Sequence, residues 1–361
     1  MASYRVISAD SHIVETGDLW TTHIDPAYRD RAPHMVREGD TDWIVCEETR
    51  MGPPFGYSTA GNKHPTSRLA DAVYPGAYDP DARLKDMARD GVDAEVIYPS
   101  LGLRAFNIPD VGLRRASLEA YNRWLGGFVA AYPRKLKGLA MVDSTDPALA
   151  SQTLRTGHQL GLSGALITIE AEEPERYGTE ELDPLWHTAD ELNMPVSLHI
   201  LSNEKPIKQG SHIHETLQHG FIQHTLATMV FGGVFQRHPG LRVISAENDA
   251  GWAPYFMERM DYLFTDPRRQ AYQDYAIKGG DLLPSEYVLR NVGFTFQRDA
   301  SGVFVRALVK VSNLMWASDY PHNDSTWPNS QELIERLFAD VPEAETRQIV
   351  AENAAALYGF S

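Results

Sequence analysis

The chain contains a single cysteine, Cys46, among 361 residues. That excludes an intramolecular disulfide and a cysteine-rich zinc site, and it accords with a reducing compartment. No stretch reaches the roughly 18 consecutive apolar residues needed to span a bilayer. Positive charge is also short, with 33 Lys and Arg against 49 Asp and Glu, for a net charge of −16. A surface of that sign repels phosphate backbones and anionic lipid heads, so neither nucleic acid nor a membrane is an expected partner. The first residues carry no basic flank followed by an apolar core. No signal peptide is read there, and the expectation is a soluble cytoplasmic protein. Internal repeats and low-complexity segments are absent from the sequence as well.

What is present is an alternation. Hydrophobic residues make up 43% of the chain and charged residues 23%, enough apolar material for one sizeable core over 1–361. Short apolar, β-branched runs lie at 5–9, 94–98, 137–142, 165–169, 196–198, 242–246, 288–296 and 314–317. Between them, helical spacing is read over 81–91, 114–132, 147–160, 182–192 and 217–236, with two more such segments, 332–338 and 343–357, closing the chain. Strands alternating with helices predict a parallel sheet, and eight such units predict an α/β fold of the (β/α)₈ TIM-barrel type. Residues 13–80 are too long for an ordinary connection and read as an insertion or lid over the catalytic face. Trp43, Phe55, Tyr57 and His64 would then line a pocket; an ordered surface excursion without chemistry is the equal alternative.

In such a barrel, active sites sit at the carboxyl ends of the strands. Several predicted strands end on side chains able to bind a cation or move a proton. Asp10 and His12, two apart, fall on one face of the first strand by its period of two. His199 ends the fifth strand, and Asp319 ends the eighth within Ser318-Asp319-Tyr320-Pro321-His322. Two imidazoles and two carboxylates suit zinc, or a harder ion such as manganese or iron. Taken singly, each residue has a plainer reading as a turn or a satisfied structural group. Their convergence on one face favours a metal site.

The segments Asp10-Ser11-His12, Leu182-Asp183-Pro184-Leu185-Trp186, Pro195-Val196-Ser197-Leu198-His199, Ser245-Ala246-Glu247-Asn248, Gly251-Trp252-Ala253-Pro254-Tyr255, Ser318-Asp319-Tyr320-Pro321-His322 and Glu352-Asn353-Ala354-Ala355 occur in this order. Together they resemble the amidohydrolase-related family, the superfamily branch that contains aminocarboxymuconate-semialdehyde decarboxylase and γ-resorcylate decarboxylase. The resemblance implies a distorted barrel with one divalent metal, held here by Asp10, His12, His199 and Asp319. Zinc is the first expectation for that metal, with manganese or iron as alternatives. Two departures stand out. Asp10 occupies a place where the family often has His or Glu, and Glu247 occupies the strand-six place where those decarboxylases carry a catalytic His. The fourth strand ends in Glu170 without the lysine that bridges two metals in binuclear relatives, which favours one metal.

The remaining polar residues are assigned by position. Glu247 and Asp319 are read as the acid–base pair, and His322 as a residue that orients a ligand or substrate. Arg104 and Arg298, just past the second and seventh strands, would clamp a substrate carboxylate, the alternative being surface ion pairs. Trp252 and Asn248 are read as substrate contacts, with packing as the other reading for Trp252. His212 and His214 are read as outside the metal set. The expected protein is thus a mononuclear metal-dependent hydrolase acting on a C–N, C–O or C–C bond of a small, cyclic or aromatic, carbonyl compound. Its first alternative is a non-oxidative decarboxylase of an aromatic or unsaturated acid, and its second a non-catalytic ligand-binding barrel. The expected partners are a small-molecule substrate and further copies of the chain, in a homodimer or larger assembly.

Overall fold

The structure is a computed structural model that describes residues 4–52, 60, 73–203, 212–269, 277 and 282–361. Eight parallel strands form the barrel: β1 (Ile7–Ile13), β5 (Ala94–Pro99), β6 (Leu136–Met141), β7 (Gly164–Ile167), β8 (Val196–His199), β9 (Val243–Ala246), β10 (Val292–Phe296) and β11 (Leu314–Trp316), neighbours in that order. Their residues are buried almost throughout, as strands covered on both faces must be. The seam between β1 and the segment after β11 is joined by backbone hydrogen bonds, Asp319 N–H to Asp10 O at 3.0 Å and His12 N–H to Tyr320 O at 2.5 Å. Ser8 Oγ tightens it by accepting Ser318 N–H at 2.8 Å. The same bonds that close the sheet therefore place Asp10 beside Asp319.

The helices begin where the chemistry asks. Asp79, Asp110 and Asp146 cap the helices Pro80–Asp90, Val111–Ala130 and Pro147–Gln159 with their carboxylates. Two expected boundaries shift. The first strand does not stop before Asp10 but runs through His12, with a bulge between Ser8 and Ser11 against β5. The run 288–296 is half helix: Pro284–Asn291 is helical and only Val292–Phe296 is strand. Pro284 occupies the first helical turn, and the Glu286 carboxylate turns back to accept Leu283 N–H at 2.7 Å, a start signal that outweighs the apolar run. The expected helix 217–236 is interrupted, as Gly232 and Gly233 end the segment His219–Phe231.

Gly232 also lets that helix approach the turn Pro174–Gly178. A Cβ at Gly232 would stand 2.4 Å from Gly178 O and 2.5 Å from its Cα. Backbone cannot yield cheaply there, so Gly232→Ala is expected to cost about 1–3 kcal/mol and to lower the melting temperature in thermal denaturation. An unchanged melting temperature would refute the close approach.

Within 13–80, the described residues include a three-stranded antiparallel sheet of β2 (His34–Glu38), β3 (Thr41–Cys46) and β4 (Thr49–Gly52). β4 packs against the turn Leu101–Asn107 that follows β5. Trp43 lies on β3 under the Arg50 guanidinium, 5.0 Å from it. Phe55, Tyr57 and His64 lie outside the described residues. Among the described residues, no helix is long and apolar enough to cross a membrane.

Candidate metal centre and cavity

The carboxyl ends of the strands surround a cavity of about 890 Å³, a size suited to a small organic ligand. At its floor, side chains from four strand ends meet. His12 Nε2 stands 3.4 Å from Asp10 Oδ1, 3.1 Å from Asp319 Oδ1 and 3.7 Å from Glu247 Oε2. His199 Nε2 stands 3.7 Å from Asp10 Oδ1 and 3.1 Å from Glu247 Oε2. The two imidazoles are edge to face with centroids 5.0 Å apart, and the Tyr98 ring packs beside both. All four expected ligands are thus brought together, and Glu247 joins them.

Each imidazole is aimed by its far nitrogen. His12 Nδ1 hydrogen-bonds Pro99 O at 2.8 Å, and His199 Nδ1 hydrogen-bonds Ile200 O at 2.6 Å. A carbonyl only accepts, so Nδ1 carries the proton and Nε2 turns a lone pair inward when the ring is neutral. Four buried atoms, Asp10 Oδ1, His12 Nε2, His199 Nε2 and Asp319 Oδ1, lie near oppositely charged groups yet make no well-directed hydrogen bond. Orphaned polar atoms are costly to bury, and these belong to two groups that share His12 and could hold a divalent cation, Asp10 with His12 and His199, and His12 with Glu247, Asp319 and His322. Thr295, at the end of β10, donates its hydroxyl to Asp10 Oδ2 at 3.2 Å and accepts Glu247 N–H at 2.8 Å, tying the two carboxylate-bearing residues together.

Electrostatics inside the cluster are strongly coupled. Burial works against a charged imidazole, yet Asp319 and Glu247 hold His12 well above its ordinary value, and Asp10 and Glu247 bring His199 to about 9. Burial pulls Glu247 and Asp319 upward, but the neighbouring histidines hold both carboxyls below the usual range. Burial dominates at Asp10 and pushes it up, against His199 and His12. Protons shared among these groups are what an incoming cation displaces. Glu247 and Asp319 are both held at positive φ, +54° and +57°, backbone strain of the kind concentrated at functional sites.

His322 reaches Asp319 Oδ1 through Nδ1 at 2.8 Å, and its Nε2 lies 3.2 Å from Ser100 Oγ. Its ring stacks on His12 at 3.9 Å. Arg104 and Arg298 both line the cavity. Arg298 is already engaged by Asp324, through its carboxylate at 3.1 Å and its carbonyl at 2.6 Å, and by Ser325 O at 2.8 Å. Trp252 and Asn248 stand behind the wall and are not among the residues lining the cavity. The indole of Trp252 donates to Asn248 O at 2.8 Å and packs on Phe256 and Phe294. The Asn248 amide donates to Ala246 O at 2.7 Å. His212 and His214 are exposed and absent from the lining.

Sequence reasoning overlooked several contributors. His219 lines the cavity, and burial lowers its pKa. Asp249 also lines it; burial and the nearby Asp299 and Glu247 charges push its carboxyl up to about 6. Glu15 lies deeper and accepts the N–H groups of Ser100, Leu101 and Gly102 at 3.0, 3.0 and 2.9 Å. It thereby shapes the turn that carries Arg104.

Residues 21–360 match a family model described as "Amidohydrolase". A γ-resorcylate decarboxylase from Polaromonas sp. strain JS666 is 27% identical over 198 residues, 50% of this chain and 59% of that protein, so the match spans less than two thirds of that relative's length. An amidohydrolase from Mycobacterium avium subsp. paratuberculosis K-10 shares the fold with a TM-score of 0.81 at 21% identity, over 99% of this chain and 100% of that one. A dihydroxybenzoic acid decarboxylase from Polaromonas sp. JS666, with bound manganese and the inhibitor 2-nitroresorcinol, does so with a TM-score of 0.66 at 18% identity, over 99% and 97%.

Proposed function

The chain belongs to the amidohydrolase family, and from that membership we propose that it is a metal-dependent decarboxylase of a small aromatic carboxylic acid. The observation that carries the reading is the set of four orphaned donor atoms, from Asp10, His12, His199 and Asp319, at the floor of a ligand-sized cavity. Glu247 tilts the sequence reading toward hydrolysis, whereas the match to γ-resorcylate decarboxylase supports decarboxylation. The manganese in the dihydroxybenzoic acid decarboxylase supports that ion here in preference to zinc. Residues Asp10, His12, His199 and Asp319 would hold it. When bound, such an ion neutralises and orients a carboxylate and a neighbouring hydroxyl.

The rest falls to the protein. The reaction adds a proton to the ring carbon that bears the carboxylate. The C–C bond then breaks, its electron pair restores the aromatic ring, and CO₂ leaves. Asp319, an anion at rest, would relay to the ring carbon a proton taken from His322 at 2.8 Å, with Ser100 beyond it. Arg104, at the cavity wall, is placed to orient an anionic substituent on the substrate. Leu101, Leu103 and Phe296 supply apolar wall for a ring.

The test is a panel of hydroxylated benzoates incubated with manganese-loaded protein, with CO₂ release followed alongside phenol formation. The expected result is equimolar CO₂ and phenol from at least one member, lost on chelation and restored by manganese. No release across the panel, together with turnover of a lactone or amide set by the same preparation, would replace this reading with the hydrolytic one.

A further inference from the structure

The four-residue metal set leaves one carboxylate at the cluster without a role. Glu247 Oε2 lies 3.1 Å from His199 Nε2 and 3.7 Å from His12 Nε2. Two donors on one cation at bonds of about 2.2 Å lie about 3.1 Å apart at right angles and about 3.6 Å apart at the tetrahedral angle. The separations from Glu247 match those of His12 from Asp10 and Asp319, 3.4 and 3.1 Å, and of His199 from Asp10, 3.7 Å. Glu247 Oε2 thus stands where a cation bound between the two imidazole nitrogens would reach it. We propose that Glu247 is a fifth protein ligand of the metal, entering from the end of β9. This rests on the metal-centre reading above.

Local structure holds Glu247 to that task. Its backbone sits at φ +54°, and its N–H is fixed by Thr295 Oγ, the hydroxyl that also supports Asp10. Its reach suits the exchange of residues in this chain. Asp10 is one methylene shorter than a glutamate at the same place, and Glu247 brings a longer carboxylate from the end of β9. Three carboxylates and two imidazoles would make an oxygen-rich set. Such a set disfavours four-coordinate zinc and favours manganese or ferrous iron.

The experiment titrates manganese and zinc separately into metal-free wild-type protein, Glu247→Ala, Glu247→Gln, His199→Ala and Asp249→Asn, with affinity and stoichiometry measured by calorimetry. The bound manganese is examined by electron paramagnetic resonance. Removing an outer-shell partner typically weakens a metal site 10–100-fold, so loss of a ligand is expected to weaken manganese by about 100-fold or more in Glu247→Ala, and zinc by less. The manganese spectrum should change in the same variant. Asp249→Asn removes the same charge from the cavity wall without removing a ligand, and should shift affinity only a few-fold. Wild-type affinity for both ions and an unchanged spectrum in Glu247→Ala and Glu247→Gln, with His199→Ala devoid of metal, would overturn the fifth ligand and leave the four-residue site standing. Failure of wild-type protein to bind either ion would overturn both.

Discussion

His199→Ala should leave the protein without its metal and without turnover. The residue ends β8, and its aim is fixed from behind by the bond from Nδ1 to Ile200 O. Alanine removes an imidazole that stands within 3.7 Å of both Asp10 and Glu247, so two carboxylates lose the partner that balances them. Metal content measured by elemental analysis should fall from about one ion per chain to almost none, and kcat/KM by at least about 1,000-fold. A thermal readout separates this from misfolding. An ion at 100 times its dissociation constant stabilises the native state by about 2.7 kcal/mol. Manganese should therefore raise the melting temperature of the wild type and leave that of the variant where it was. A variant that retains metal at wild-type stoichiometry would remove His199 from the site.

The second large effect concerns stability, and it begins behind His12. Arg83 is fully buried, although its helix also presents Asp81, Lys85 and Arg89 to water. Its guanidinium donates to Glu95 at 2.6 Å and to His12 O at 2.6 Å, and it stacks 4.7 Å from the Tyr320 ring. One side chain thus joins β1, β5 and the segment carrying Asp319. Burial pushes the Glu95 carboxyl up, and Arg83 is the group that pulls it back. Arg83→Met strands that carboxylate, and breaking a buried pair from one side costs about 3–5 kcal/mol. The melting temperature should drop by about 4–7 °C. In Arg83→Met with Glu95→Leu, most of that loss should return, because apolar replacement of both partners is often neutral. Activity should not return with it, since His12 O has lost its anchor. A double variant as unstable as the single one would refute the pairing.

These two residues mark what was legible in the chain. His199, Asp10, His12 and Asp319 could be read because strand period and strand ends are written locally, and a polar residue closing an apolar run is conspicuous. Arg83 was not legible, because a basic residue in a polar helix resembles any solvated charge until the packing is known. Thr295 and Glu15 escaped for the same reason, as they act on backbone groups far away in the chain. His219 was hidden among neighbouring histidines that point outward. Residues 288–291, the end of helix 284–291, read as strand because Val288 and Leu289 run directly into the apolar true strand. Trp252 and Asn248 belong to the right segment, yet their side chains turn into the wall. Glu247 could be read as ending a strand, but its proximity to both imidazoles depends on a left-handed backbone that no spacing rule reveals.

The seam of the barrel has a kinetic corollary. Ser8 and Ser318, bonded there, are 310 residues apart in the chain. Loop closure over such a span is among the slowest contacts a chain makes. The two aspartates of the cluster meet only when that contact forms, so the ion cannot serve as a nucleus for folding. It arrives as a lock on a finished ring, and it should slow unfolding far more than it hastens folding.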